Sequence, residues 1–240
     1  MSLRDRQVWD ELAEEFDKKV GDAGDQVRRD CVDPMLLNAM GDVCAKGARV
    51  LDAGSGNGHL MEKLGRAGYI AEGLDVSPVL LQLARARRPG RVFYEADLED
   101  ARSLPTAEWD AVVCSFVLDG LENLDAAASN LHQLTKPDGH LIVNVPHPAF
   151  VHPEYWGLRS RKLYIEDDPI GSDVLLFGCT RPAKFFYRPI SHYLNALVAA
   201  GLSIASLIEP DPRTLDVYFH HTRRPLLHAY MLGIVAKRTR

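Results

Sequence analysis

One glycine loop and two aspartates carry the densest chemical signal in this chain. The stretch from Val50 to Leu60 reads VLDAGSGNGHL: an apolar run closes on Asp52, and Gly54, Gly56 and Gly58 follow at every second position, with Ser55 and Asn57 between them. Glycines lack a Cβ, so such a loop can turn sharply and bring its backbone N–H groups close to a carboxylate or phosphate near a helix N-terminus. Spacing narrows the choice. A dinucleotide fingerprint is Gly-x-Gly-x-x-Gly, whereas here the third glycine comes one residue early, and no Gly-Lys-Ser/Thr follows, which excludes a P-loop. Asp75 ends a second apolar run, where a carboxylate can accept hydrogen bonds from both hydroxyls of a ribose. Together they point to a nucleoside with little or no phosphate.

Groups placed this way need a sheet whose strand ends converge. From Arg49 onward, short runs rich in Val, Ile and Leu alternate with longer helical patterns, the signature of a parallel sheet covered by helices on both faces. Seven strands are predicted: Arg49 to Ala53, Tyr69 to Asp75, Val92 to Glu95, Asp110 to Ser115, Leu141 to Val145, Leu202 to Ile208 and Tyr230 to Ala236. Ser77 is placed to cap a helix with Pro78 at its first position, and Leu80, Leu81, Leu83 and Ala84 supply the apolar face. Lys136 to Gly139 reads as the turn that ends a helix over Asp125 to Thr135 and starts the fifth strand. Two regions break the alternation. Residues 1–48 form an acidic helical arm with Trp9, Leu12, Ala13 and Phe16 at helical spacing, a face that must pack on something. Residues 146–189, rich in Pro, His and aromatics, read as a substrate-side insert or lid in a 49–240 core, one domain overall.

Composition bounds the partners. The chain has 240 residues, 46% hydrophobic, with a formal net charge of -5, so it can bury a sizeable core and exerts no global attraction on nucleic acid or an anionic membrane. Arg85, Arg87, Arg88 and Arg91 are read as a solvated helix end. Cys31, Cys44, Cys114 and Cys179 lie far apart, which suggests reduced thiols and a cytoplasmic setting rather than a zinc site or a disulfide framework. No apolar h-region opens the sequence and no run approaches the ~18 apolar residues of a membrane span, so neither export nor membrane insertion is expected.

Five segments in order, Val50-Leu-Asp-Ala-Gly-Ser-Gly-Asn-Gly, Gly73-Leu-Asp-Val-Ser, Glu95-Ala-Asp-Leu, Trp109-Asp-Ala-Val-Val-Cys-Ser and Leu134-Thr-Lys-Pro-Asp-Gly, resemble the motif series of class I S-adenosylmethionine-dependent methyltransferases. The resemblance spans about Arg49 to Val145. It implies a Rossmann-like, mostly parallel sheet whose last strand is antiparallel, which nicotinamide-binding sheets lack, and S-adenosylmethionine as cofactor, with S-adenosylhomocysteine as product. Asp52 and Gly54 to Gly58 would then surround the methionine part, Asp52 reaching its amino group directly or through water. Asp75 would take the ribose hydroxyls and Val76 would pack on the adenine. Asp97 would accept from the adenine amino group, flanked by Ala96 and Leu98, and Ser115, Phe116 and Val117 would lie beside the methionine chain and sulfonium. Plain structural alternatives stay open, Asp97 capping a turn and Ser115 ending a strand. Ser55 stands where most relatives have cysteine. The arm would cover the cofactor, with Arg28 or Arg29 pairing with its carboxylate and Trp9 and Phe16 closing the crevice.

Methyl transfer from a sulfonium is an in-line displacement, so the protein aligns a nucleophile and, where needed, removes its proton; no metal is required. The segment Cys114-Ser-Phe-Val-Leu-Asp-Gly lacks the Asn-Pro-Pro-Tyr-like pattern of nucleic-acid amino-methylating enzymes, so a small-molecule acceptor, probed at oxygen, nitrogen or carbon, is expected. His147-Pro-Ala-Phe, Arg188-Pro-Ile-Ser and Ile208-Glu-Pro resemble a subgroup of type 11 small-molecule methyltransferases. His147, past the fifth strand, is the candidate proton acceptor, with a single structural hydrogen bond as its alternative. His152, Tyr155, Trp156, Tyr164, Phe185, Phe186 and Tyr187 are candidates for either substrate wall or core. His220-His221 with Asp119 could suggest a metal, but adjacent histidines on a strand point to opposite sides and no carboxylate set accompanies them. A non-catalytic S-adenosylmethionine-binding or sensing protein is the alternative reading.

Overall fold

The computed structural model describes residues 3–150, 170–175, 179–211 and 230–239. Its centre is a seven-stranded sheet in the order β3-β2-β1-β4-β5-β9-β8. The strands are β1 (Arg49–Ala53), β2 (Ile70–Asp75), β3 (Phe93–Glu95), β4 (Trp109–Ser115), β5 (Thr135–Pro146), β8 (Leu202–Ile208) and β9 (Met231–Arg238). β1 to β5 pair in parallel, and β9 runs antiparallel to both β5 and β8. The six helices among the described residues are α1 (Leu3–Val20), α2 (Asp33–Val43), α3 (His59–Arg66), α4 (Pro78–Arg87), α5 (Leu124–Leu134) and α6 (Ile190–Ala199). Two apolar clusters cover the two sheet faces, one around Leu36, Val50, Leu64 and Ile142, the other around Leu51, Trp109, Leu131 and Leu197. Strand order reverses between β1 and β4, which opens a crevice at their carboxyl ends.

Local chemistry explains the elements. Ser77 Oγ accepts from the Leu80 N–H at 3.1 Å and Pro78 occupies the first turn of α4, so α4 starts where the cap and the fixed proline φ favour it. Asn123 caps α5 in the same way, at 3.0 Å to the Ala126 N–H. The segment Lys136 to Gly139 makes the predicted turn after α5, although it falls within the span of β5. Asp138 adopts φ +63°, none of the four residues pairs with β4 or β9, and the register with β4 jumps from Thr135 to His140, where continuous pairing starts. The turn is thus a bulge near the start of the strand.

Two further departures concern the regions that break the alternation. The insert contains a separate antiparallel pair, β6 (Ile170–Val174) with β7 (Ala183–Tyr187), which periodicity did not reveal. His152, Tyr155, Trp156, Tyr164, His220 and His221 lie outside the described residues. Arg85, Arg87 and Arg91 of the arginine cluster are exposed at the end of α4, as expected of a helix end, and Arg88 alone departs from that reading. Arg88 is buried and donates to the Asn57 carbonyl at 2.9 Å, Arg87 pairs with Asp17 of α1, and Arg85 donates to the Phe93 carbonyl at 3.0 Å. The end of α4 and its cap thus tie the arm, the glycine loop and β3 together.

Candidate active site

A cavity opens at the carboxyl ends of β1, β2 and β4. Of the residues singled out from the sequence, Gly54, Gly56, Asp75, Val76, Ala96, Asp97, Leu98, Ser115, Phe116 and Val117 line it. Asp52, Ser55, Asn57 and Gly58 do not. They form the layer beneath, and each has a structural reason to be there.

The loop takes its shape from its glycines. Gly54, Gly56 and Gly58 have φ of +85°, +52° and +76°, in the left-handed region that favours glycine. At Gly54 a Cβ would stand 2.2 Å from Val117 Cγ2, so the loop and the segment after β4 approach more closely than any side chain allows. The Gly54 and Ser55 N–H groups both donate to the Leu74 carbonyl, at 2.6 and 2.9 Å. Asn57 is fully buried, donating to Asp17 Oδ1 at 2.9 Å and to the Gly21 carbonyl at 3.1 Å, so its role is to join the loop to the arm.

The carboxylates divide the labour. Asp75 Oδ2 accepts from the Gly56 N–H at 2.8 Å and its Oδ1 from the Ser77 N–H at 2.9 Å, which fixes the side chain at the cavity wall. Burial raises its pKa, and the hydrogen bonds from Ser77, Gly56 and Val76 oppose that rise. Asp52 sits in the buried layer with Oδ2 unpartnered. Burial, with Asp75 and Asp33 adding like charge, pushes its carboxyl up to about 8, against the pull of Arg28 and Arg88. Asp97 Oδ1 accepts from the Glu99 N–H at 2.8 Å, and the Asp97 N–H donates to Ser103 Oγ at 2.8 Å, the geometry of a turn that also presents the residue to the cavity.

The arm closes one side. Trp9 and Phe16 line the cavity and meet edge to face at 5.8 Å between ring centroids. Arg28 is buried, ion-paired with Asp25, and stacked between Phe16 at 5.6 Å and Phe116 at 4.7 Å. Arg29 is exposed and donates to the Gly24 carbonyl at 2.9 Å. Of the two arginines, therefore, Arg28 faces the cavity. Phe116 adopts φ +58° immediately after β4, an uncommon conformation for a bulky residue, and so turns the chain into the cavity wall.

His147 is placed differently from its sequence expectation. It is buried outside the cavity lining, with Nε2 at 2.9 Å from Glu209 Oε1 and Nδ1 accepting from the Ala149 N–H at 3.2 Å. Both ring nitrogens are engaged, and Phe150 packs on the ring at 4.5 Å. This geometry matches the structural role, fastening the turn after β5 to the residue after β8. Phe185 lines the cavity, Phe186 packs under Arg188, and Tyr187 donates to the Pro148 carbonyl at 2.9 Å.

Sequence reasoning gave Asp119 no place in this site. It sits on a short turn, Leu118–Gly120, just past β4, almost fully buried and lining the cavity. A single acid between apolar neighbours in Phe116-Val-Leu-Asp-Gly was the available signal. Among the described residues no group of three or more His, Cys, Asp or Glu is arranged to hold a metal ion, and no helix is long and apolar enough to cross a membrane.

A glycine loop after β1, a carboxylate at the end of β2 and an antiparallel last strand define a nucleoside-binding α/β protein. A sequence model of the family described as "Methyltransferase domain" matches residues 25–207, and the chain belongs to that family, the class I S-adenosylmethionine-dependent methyltransferases. It is 35% identical over 128 residues to demethylmenaquinone methyltransferase of Renibacterium salmoninarum, covering 52% of this chain and 50% of that protein. It is 30% identical over 133 residues to malonyl-[acyl-carrier protein] O-methyltransferase of Serratia marcescens, covering 55% and 51%. The chain thus spans about half the length of these curated relatives. Among solved structures, an S-adenosylmethionine dependent methyltransferase from Mesorhizobium loti superposes with a TM-score of 0.63 at 25% identity, covering 84% of this chain and 96% of that one. The 1,6-didemethyltoxoflavin-N1-methyltransferase of Burkholderia thailandensis, solved with 1,6-didemethyltoxoflavin and S-adenosylhomocysteine, shares the fold with a TM-score of 0.62 at 14% identity, covering 98% and 87%.

Proposed function

We propose that this protein transfers a methyl group from S-adenosylmethionine to a small-molecule acceptor bound in the same cavity. The observation that carries the reading is the junction of Gly56 and Asp75, where the loop's N–H holds the carboxylate at 2.8 Å on the cavity wall. Each carboxylate oxygen has two lone pairs, so Asp75, held by backbone N–H groups of Gly56, Ser77 and Val76, keeps acceptor capacity for a ribose hydroxyl. The fit continues on both sides. The unpartnered Asp52 Oδ2 beneath the loop suits an amino group, reached directly or through water, and Arg28 suits the neighbouring carboxylate. Val76, Ala96 and Leu98 offer an apolar slot of adenine type, with Asp97 at its rim.

The cofactor supplies an electrophilic methyl on a sulfonium. The chain's own residues bind it, orient the acceptor and exclude water. Trp9 and Phe16 on the arm cover the crevice, and Val174 and Phe185 from the β6–β7 pair complete an apolar acceptor side. Demethylmenaquinone and 1,6-didemethyltoxoflavin in the names of two relatives support a small ring-containing acceptor, whereas the malonyl-carrier relative acts on an acyl group of another kind.

Calorimetric titration with S-adenosylmethionine, S-adenosylhomocysteine and NAD tests the proposal. Both sulfur nucleosides bind and NAD does not. Asp75→Ala weakens both by on the order of 10- to 100-fold, the loss of charge-assisted hydrogen bonds to the ribose. Binding of NAD, or of neither sulfur nucleoside, overturns it.

A further inference from the structure

Methyl transfer to oxygen or nitrogen leaves a proton to be removed, and the sequence candidate for that task, His147, has both ring nitrogens engaged outside the cavity. The carboxylates lining the cavity are Asp25, Asp75, Asp97 and Asp119. Asp25 pairs with Arg28, Asp75 holds two backbone N–H groups, and Asp97 holds the Glu99 N–H. Asp119 is the contrast: its side chain is almost fully buried, it borders the cavity, and its Oδ1 has no hydrogen-bond partner. An orphaned buried acceptor is unfavourable, so a partner arriving with a ligand is a natural use for it.

Placement agrees with that use. Asp119 follows the segment Ser115 to Val117 by two residues, on the side of the cavity walled by Pro146, Val174, Phe185 and Met231, which are apolar. The turn that carries it is held in place from below. Buried Arg188 donates to the carbonyls of Leu118 at 3.3 Å, Leu121 at 2.6 Å and Glu122 at 2.9 Å, and the Gly120 N–H donates to the Val117 carbonyl at 2.8 Å. A guanidinium occupied with carbonyls fixes the acid's position beside the cavity, with its buried Oδ1 still unpartnered.

We propose that Asp119 receives the proton of the methyl acceptor, and that the acceptor is a neutral, apolar, ring-sized molecule bearing a protic oxygen or nitrogen. This assignment rests on the methyltransferase reading above. The acceptor's lone pair forms the new bond to the methyl carbon, and the carbon–sulfur bond breaks with its electron pair remaining on sulfur as a neutral thioether. The acceptor's proton passes to the Asp119 carboxylate and then to solvent. The charge state is suited to the task. Burial pushes the Asp119 carboxyl up to about 7, against the pull of its own backbone N–H, Arg188 and Arg28. The other titratable groups that feel it, Cys114 on β4 and Tyr193 on α6, are themselves pushed up by burial and stay neutral. An anionic acceptor would meet four carboxylates in this cavity, whereas a neutral protic one gains a hydrogen bond from the one that lacks a partner.

The test uses two probes that differ by one methyl on oxygen, 2-naphthol and 2-methoxynaphthalene, titrated by fluorescence into the full chain saturated with S-adenosylhomocysteine. At about pH 8, with the carboxylate formed, wild type prefers 2-naphthol by about tenfold, ~1.4 kcal/mol. The preference shrinks at about pH 5.5, where the acid is protonated, an arm that needs no variant. Asp119→Asn binds S-adenosylhomocysteine as before, which shows it folded, and loses the preference; Asp119→Glu keeps it. An equal preference in Asp119→Asn, a preference independent of pH, or none in wild type overturns the assignment. Loss of S-adenosylhomocysteine binding by wild type instead overturns the methyltransferase reading, so the two failures are told apart.

Discussion

Replacing Gly54 by alanine separates two costs that the loop imposes, and the structure sets the size of each. With φ at +85°, an alanine at this position pays a left-handed penalty of roughly 1–2 kcal/mol. Its Cβ would also stand 2.2 Å from Val117 Cγ2, so the valine must leave its rotamer or the strand ends must part, an overpacking cost of ~1–3 kcal/mol. The expected loss is about 2–5 kcal/mol, which for a chain of this size is a fall of roughly 4–20 °C in melting temperature. Gly56→Ala is the internal control. Its φ is +52° and its Cβ would meet Phe16 Cε1 at an ordinary 3.4 Å, so only the conformational cost of ~1–2 kcal/mol applies, roughly 2–8 °C. Adding Val117→Ala removes the clashing methyl and should return part of the Gly54→Ala loss without touching the Gly56→Ala loss. Differential scanning calorimetry on the four variants reads all of these values. Equal destabilisation at the two glycines, or no recovery from Val117→Ala in the Gly54→Ala background, would refute a close approach between the loop and the segment after β4.

Two further outcomes concern the layer beneath the cavity. Asn57→Ala removes hydrogen bonds to Asp17 and Gly21, so it should cost ~1–3 kcal/mol and speed amide exchange over α1; unchanged exchange there would show that the arm is held by its other contacts, such as Arg87 with Asp17 and Ser77 with Asp10. The Asp52 carboxyl, raised to about 8 in the fold from ~3.9 when unfolded, favours the folded state at low pH, and that contribution is lost as pH climbs through about 4 to 8. Wild type should therefore lose stability relative to Asp52→Asn between about pH 5 and about pH 8 by thermal melting, and parallel pH profiles for the two proteins would contradict the buried acid.

The sheet was legible in the sequence because each parallel strand, covered on both faces, must be a continuous apolar run, and such runs stand out between amphipathic helices. β1 and β8 fall on their predicted ranges, and the predicted cap at Ser77 is a local hydrogen bond between residues three apart. The glycine loop and Asp75 were equally legible, since a positive φ and a strand-end carboxylate are properties of single positions. Long-range pairing was not. Nothing in the order of residues says that Arg88 reaches the Asn57 carbonyl, that the arm's Trp9 and Phe16 wall the same cavity as Phe116, or that His147 is fastened to Glu209 across 62 positions. The local pattern Lys-Pro-Asp-Gly signalled a turn, and the turn is there, while the pairing that makes β5 a central strand starts only at His140 and comes from β4 and β9 far along the chain. Residue type and spacing determined which chemistry this chain can perform at the ends of its strands. Only the tertiary structure decided which acid bordering the cavity keeps an unpartnered buried oxygen, because whether Asp119 or His147 has a free lone pair depends on what the rest of the fold brings against it.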